Sequence, residues 1–222
     1  MWRIGLFVAL WVLSTFPAVA VAGAWLRDEG KAFFSFGATV FELDEDGRQY
    51  QENSFYLEYG LRPNLTIGAS GSIVDGMGGE GQVFFRMPLP RENATSQLAL
   101  EFGLGANSQG IDYEPFAKAG VSWGKGITLN ERNGWINVDG AAFLGDDTRV
   151  KLDTTFGLTL SDRVQVMAQS FIELADGQDS HTLIPSLILS SKAGKTRYLL
   201  GYEHRSGTRA SKGMKFGLWR DF

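Results

Sequence analysis

The chain has 222 residues, 28 of them glycine and none cysteine, with a formal net charge of −4. The absence of cysteine excludes a disulfide framework, thiolate metal sites and a lipid-modified N-terminal cysteine. Acids and bases are interspersed and acids prevail, which excludes the basic surface that a nucleic-acid partner requires. Six prolines against 28 glycines and 13% aromatic residues suit many strands and turns, within a length that one domain can fill.

Residues 1–22 have the form of a secretory signal peptide. Arg3 supplies the positive start, residues 4–16 the apolar stretch, and Ala20-Val21-Ala22 the small residues for cleavage. The mature domain is therefore expected to span residues 23–222. Mean hydropathy is −0.09, and beyond Ala22 no apolar run reaches the roughly 18 residues of a membrane helix. If this chain crosses a membrane, only a closed sheet can carry it, because each backbone polar group in lipid needs a partner within the protein.

A two-residue period then repeats along the whole domain. In residues 31–41 Ala32, Phe34, Phe36, Ala38 and Val40 alternate with Lys31, Ser35, Gly37 and Thr39. Residues 51–61 set Phe55, Leu57, Tyr59 and Leu61 against Tyr56, Glu58 and Gly60, and turn at Arg62-Pro63-Asn64 into residues 65–74. Residues 80–89, 97–105 and 115–123 follow the same rule. Residues 135–144 are the weakest member, and 150–160 the clearest, with Val150, Leu152, Phe156, Leu158 and Leu160 interleaving Lys151, Asp153, Thr155, Gly157 and Thr159. After Ser161-Asp162-Arg163 come residues 164–173, 182–190, 196–205 and the terminal strand.

That last strand, from Gly213 to the carboxylate-bearing Phe222, presents Met214, Phe216, Leu218, Arg220 and Phe222 on one face. An amphipathic final strand ending on an aromatic resembles those of proteobacterial outer-membrane β-barrel proteins. The resemblance implies that Phe216, Leu218 and Phe222 are read by the barrel-assembly machinery, and that outer-membrane lipid and lipopolysaccharide surround the chain. Arg220 departs from the usual all-apolar face. The Tyr56-Leu57-Glu58-Tyr59-Gly60-Leu61 strand and the Arg62-Pro63-Asn64-Leu65-Thr66-Ile67-Gly68 segment after it look like the hairpins of small transporter-type barrels. The expected fold is an all-β, transmembrane, antiparallel up-and-down barrel of about twelve strands in the bacterial outer membrane. The long connection at residues 127–133 leaves ten strands open. Strand parity puts both termini on one side, with tight turns there and longer loops at residues 106–113, 174–180 and 206–212 on the other.

If the apolar faces meet lipid, the interior receives Glu58, Glu80, Glu101, Asp139, Asp153, Glu173 and Glu203 with Arg86, Lys118, Lys151, Arg197, Arg205 and Lys215. A midplane Lys or Arg facing lipid would cost about 2–4 kcal/mol, so their shared inward phase is consistent with the assignment. Such near-neutral lining suits either a narrow polar channel for a small solute or a salt-bridged, filled interior whose loops bind a partner. Seven inward glycines, among them Gly68, Gly103, Gly157 and Gly217, either open lumen space or make room for large neighbours.

His204 and Ser206 share a face near the rim, and His-x-Ser there resembles the outer-membrane lipid A deacylases. Gly207 stands where that family has an asparagine, and no orienting acid follows before Asp221. No two histidines have metal-ligand spacing, so no metal and no cofactor are expected. Asp44-Glu45-Asp46 and Asp146-Asp147 are loop acids with calcium-binding chemistry at most. Asp75-Gly76-Met77-Gly78-Gly79 precedes no helix and so fails as a phosphate loop.

Overall fold

The computed structural model describes residues 23–222 except 43–48, 92–93, 110–111, 147, 176, 178 and 209. The signal-peptide segment 1–22, Asp44-Glu45-Asp46 and Asp147 lie outside the described residues. Twelve strands form one closed antiparallel barrel: β1 (Ala32–Phe41), β2 (Gln51–Arg62), β3 (Leu65–Val74), β4 (Gly78–Pro88), β5 (Gln97–Gln109), β6 (Asp112–Leu129), β7 (Arg132–Leu144), β8 (Arg149–Ser161), β9 (Val164–Ala175), β10 (Ser180–Ser190), β11 (Thr196–Gly207) and β12 (Ser211–Asp221). Each pairs with its chain neighbours, and β12 closes on β1 through nine register pairs from Phe33↔Asp221 to Phe41↔Gly213. Phe222 N–H adds a hydrogen bond to the Ala32 carbonyl at 2.9 Å. We call the edge holding Ala32 and Phe222 the terminal rim and the opposite edge the far rim.

The period of two is realised as an inside and an outside. Leu57, Tyr59, Val83, Leu104, Leu152, Leu187, Leu200 and Phe216 stand exposed on the outer wall, while Glu58, Arg86, Glu101, Arg197 and Glu203 are buried within. This inverts a soluble protein and makes an apolar belt for lipid. Arg220 is on the outer wall beside the terminal rim, its guanidinium 5.1 Å from the Phe222 ring centroid.

Two expectations are corrected at the edges. The connection at residues 127–133 is a two-residue hairpin: β6 runs to Leu129, β7 starts at Arg132, and Asn130 and Glu131 both take positive φ (46° and 64°). Such paired left-handed residues twist a hairpin correctly, and the sequence hid the turn because no glycine marks it. The count is therefore twelve, not ten. The long far-rim loops shrink likewise, since β5 and β6 pair out to Gln109↔Asp112 and β9 and β10 out to Glu173↔Ser180. Ladder hydrogen bonds need no apolar side chain, so loss of the apolar face marks where a strand leaves lipid rather than where it ends. Residues 89–96, the longest terminal-rim connection, also exceed most far-rim loops, so loop length does not distinguish the two edges.

Inward glycines receive large side chains. A Cβ on Gly157 would overlap the Trp135 indole, one on Gly68 the Phe84 ring, and one on Gly124 the Trp25 indole. Gly157→Ala is expected to lower stability by about 1–3 kcal/mol through overpacking, measured by urea unfolding in lipid vesicles, and Trp135→Leu in the same chain is expected to restore most of it.

Candidate functional site

The candidate site is the barrel interior, built from alternate residues of all twelve strands. Near the terminal rim Arg86 on β4 is the centre of a buried network. Its Nη1 donates to Glu58 on β2, and its Nη2 donates to Glu101 on β5 at 2.5 Å and to the Tyr56 hydroxyl at 3.0 Å. Arg86 and Glu101 are register partners, while Tyr56 and Glu58 are two apart on one strand, so the pleat aims all four inward. Lys118 reaches Glu101 at 2.7 Å, and Arg27, which precedes β1, reaches Glu58 at 2.5 Å.

Two further networks lie toward the far rim. Arg149 pairs with Glu80 and, at 3.5 Å, with Glu173, which also meets Lys151 at 2.8 Å. Glu80 is on β4 and Arg149 on β8, so this pair crosses the lumen. The Arg149 guanidinium also stacks 4.4 Å from the Phe143 ring centroid. On the other wall Glu203 binds Arg205 at 2.5 Å, Lys215 at 3.3 Å and the Thr39 hydroxyl at 3.1 Å, and Arg205 reaches Glu52 at 2.5 Å. Arg197 pairs with Asp221 at the terminal rim. Asp139 and Asp153 are register partners on β7 and β8, and neither enters an ion pair among the described residues.

These networks bound two cavities. One of about 340 Å³ lies at mid-barrel between Tyr56, Arg86, Lys118, Asp139, Asp153 and Trp135. The other, about 500 Å³, lies toward the far rim among Glu52, Glu80, Arg149, Lys151, Glu173 and Arg205, and Asp153 and Phe171 line both. The terminal half is instead filled. Trp135, Met167, Ile188 and Leu199 form a buried cluster with Trp25 and Trp219 packed on it.

Trp25 belongs to a strap, residues 23–31, that the sequence presented only as the start of the mature chain. It enters beside β2, where Gly30 N–H bonds the Gly60 carbonyl at 2.9 Å. Arg27 N–H then bonds Thr66 Oγ1 at 2.9 Å, and Ala24 N–H reaches Asn137 Oδ1 on β7 at 3.2 Å. The strap thus crosses the terminal mouth. Glu52, Tyr56 and Arg149 were missed as well, although their inward phase was readable once the strand limits were known.

The lipid A deacylase resemblance finds no matching geometry. His204 and Ser206 both face outward, and Ser206 Oγ donates to the His181 carbonyl at 3.3 Å. Among the described residues no hydrogen bond joins the two. The Ser–His contact on that wall is Ser170 Oγ with His181 Nε2 at 2.9 Å, across β9 and β10. No group of three His, Cys, Asp or Glu side chains able to hold a metal occurs among the described residues.

No family model and no curated protein matches this chain. Solved structures do. The KdgM porin in complex with disordered oligogalacturonate aligns over 86% of this chain and 99% of its own, with 7% identity and a TM-score of 0.65. A second KdgM porin structure aligns over 86% and 99% with 9% identity and a TM-score of 0.57, and LpxR from Salmonella typhimurium over 84% and 99% with 9% identity and a TM-score of 0.54. The chain has the fold and the lipid-facing belt of a bacterial outer-membrane β-barrel. At these identities the likeness extends to architecture alone.

Arg86→Met is expected to destabilise the barrel by about 3 kcal/mol, the low end for breaking a buried pair because Arg27 and Lys118 still serve the two carboxylates. Chemical unfolding in vesicles measures it. Ser206→Ala is expected to leave the acylation pattern of lipid A unchanged, as read by mass spectrometry of the extracted lipid.

Proposed function

We propose that this barrel is a narrow transport channel for small polar solutes, with the strap closing the terminal mouth in the resting state. The observation that carries the reading is the chain of two cavities from the far rim to mid-barrel, the outer one walled mainly by polar and charged side chains and the inner one by charged and aromatic ones. We take the terminal rim as periplasmic, the side from which an exported chain inserts. Phe216, Leu218 and Phe222 then present the outward face of the closing strand to the assembly machinery, and outer-membrane lipid and lipopolysaccharide cover the apolar belt.

The charge pattern narrows the solute class. Each base of the far cavity, Arg149, Lys151 and Arg205, is already held by an acid. Glu52, Glu80, Glu114, Asp153 and Glu173 line that cavity with those three bases. Neutral and cationic solutes are therefore favoured over anions. The aromatic walls of the inner cavity, among them Tyr56, Phe84 and Trp135, add flat apolar faces for a solute's ring or stem.

Reconstituted in planar bilayers, the protein is expected to show small, mostly closed, weakly cation-selective conductances. Trp25→Gly, which empties the space beside Gly124, is expected to raise the open fraction several-fold. Should neither protein conduct while heat-modifiable gel mobility shows both inserted and folded, the channel reading falls. A structural barrel that binds through its far rim would then stand, in keeping with the filled terminal half.

A further inference from the structure

Apart from Glu114, which is exposed at the far rim, the acids lining the cavities and the terminal rim divide by partner among the described residues. Glu52, Glu58, Glu80, Glu101, Glu173, Glu203 and Asp221 each sit in an ion pair. Asp139 and Asp153, side by side on β7 and β8, do not. Like charges directly opposite on one sheet face repel, and a buried carboxylate without a cation is costly. The Asp139 Oδ1 atom is buried with no hydrogen-bond partner. Arg86 and Lys118 line the same cavity but are held by Glu58 and Glu101, and among the described residues no cation reaches ion-pair distance of Asp139 or Asp153.

The inner end of the strap arrives at the same place. Gly23 lines the cavity that Asp139 and Asp153 also line. Asn137 joins the two: its Oδ1 accepts the Ala24 N–H at 3.2 Å, while its Nδ2 donates to Asp139 Oδ2. Gly23 has φ +93°, and a Cβ there would overlap the Asn137 amide, so this position takes glycine for both reasons. Ala24 beside it is 2% exposed. A chain cut after Ala22 therefore places its new terminus inside the barrel, not in solvent.

We propose that the α-ammonium of Gly23, created by signal cleavage after Ala22, is the counter-ion of the Asp139–Asp153 pair and latches the strap inside the barrel. The inference rests on cleavage at that bond. Hydrolysis of the Ala22–Gly23 peptide leaves a carboxylate on the departing segment and an amine on Gly23, which is protonated at neutral pH. Before cleavage the same nitrogen is an uncharged amide and has no charge to set against the two acids; the ammonium offsets one of their two charges. Processing thus supplies the charge that seats the strap, and with it the seal of the terminal mouth.

The test uses protein extracted from the outer membrane. Intact mass first establishes whether the chain begins at Gly23; another start refutes the cleavage site and the latch with it. An N-terminus-selective aldehyde then reports access to the amine. Folded wild-type protein is expected to react several-fold more slowly than the same protein unfolded in urea, and the Asp139→Asn, Asp153→Asn double variant is expected to lose most of that protection. Glu114→Gln, at the far cavity, is the control and is expected to keep it. Gel mobility verifies that each variant is folded. A chain that begins at Gly23 yet reacts equally fast folded and unfolded, or protection unchanged in the folded double variant, overturns the latch and leaves the processing site intact.

Discussion

A backbone that enters lipid has no water to bond, so each N–H and C=O must be paired within the protein, and a sheet meets that condition only when it has no edge. Closure of β12 onto β1 is the event on which everything else here depends. It sets the even strand count, brings the start of β1 and the end of β12 to one rim and leaves each strand with one face toward lipid and one toward the lumen. Phe222 N–H, bonded to the carbonyl of Ala32, is the last contact of that seam.

Once the ring is closed, the interior inherits every charge the belt rejects. Twelve inward faces carry acids and bases into a confined space of low dielectric, where an unpaired charge is far more expensive than at a surface. Two of the resulting ion pairs join register partners, Arg86 with Glu101 and Lys151 with Glu173, and several more join residues one diagonal step away, as Lys118 with Glu101 and Lys215 with Glu203 do. Others use the curvature of the barrel, as Arg149 and Glu80 do across the lumen. The pair that breaks the pattern, Asp139 with Asp153, lies where the strap comes to rest.

The strap and the inward glycines share one physical logic. A twelve-strand ring encloses more volume than its own side chains fill, and the terminal half is completed by indoles set against bare backbone: Trp135 over Gly157 and Trp25 over Gly124. Of the two meanings open to those glycines, room for large neighbours is the one realised at these positions. The far half has a smaller filler, the Phe116 ring set over Gly105 and against Phe143, and a cavity remains there, so the barrel is asymmetric along its axis although its strands are nearly uniform.

The sequence by itself determined the strands, their phase, the ring and the inward identity of the charges, because alternation and hydrogen-bond closure act between residues close in the chain or next in line. It placed Arg86, Glu101 and Lys118 inside without revealing that one guanidinium binds two acids and a tyrosine. The Asn130-Glu131 hairpin and the far-rim strand ends stayed hidden, since backbone pairing outlasts the apolar pattern that announces it. Only the tertiary structure decided which charges meet across the lumen, that His181 rather than His204 contacts a serine, and that residues 23–31 fold back inside. Those contacts join positions as distant as Ala24 and Asn137, and their geometry is set by barrel curvature and volume, quantities that no local pattern encodes.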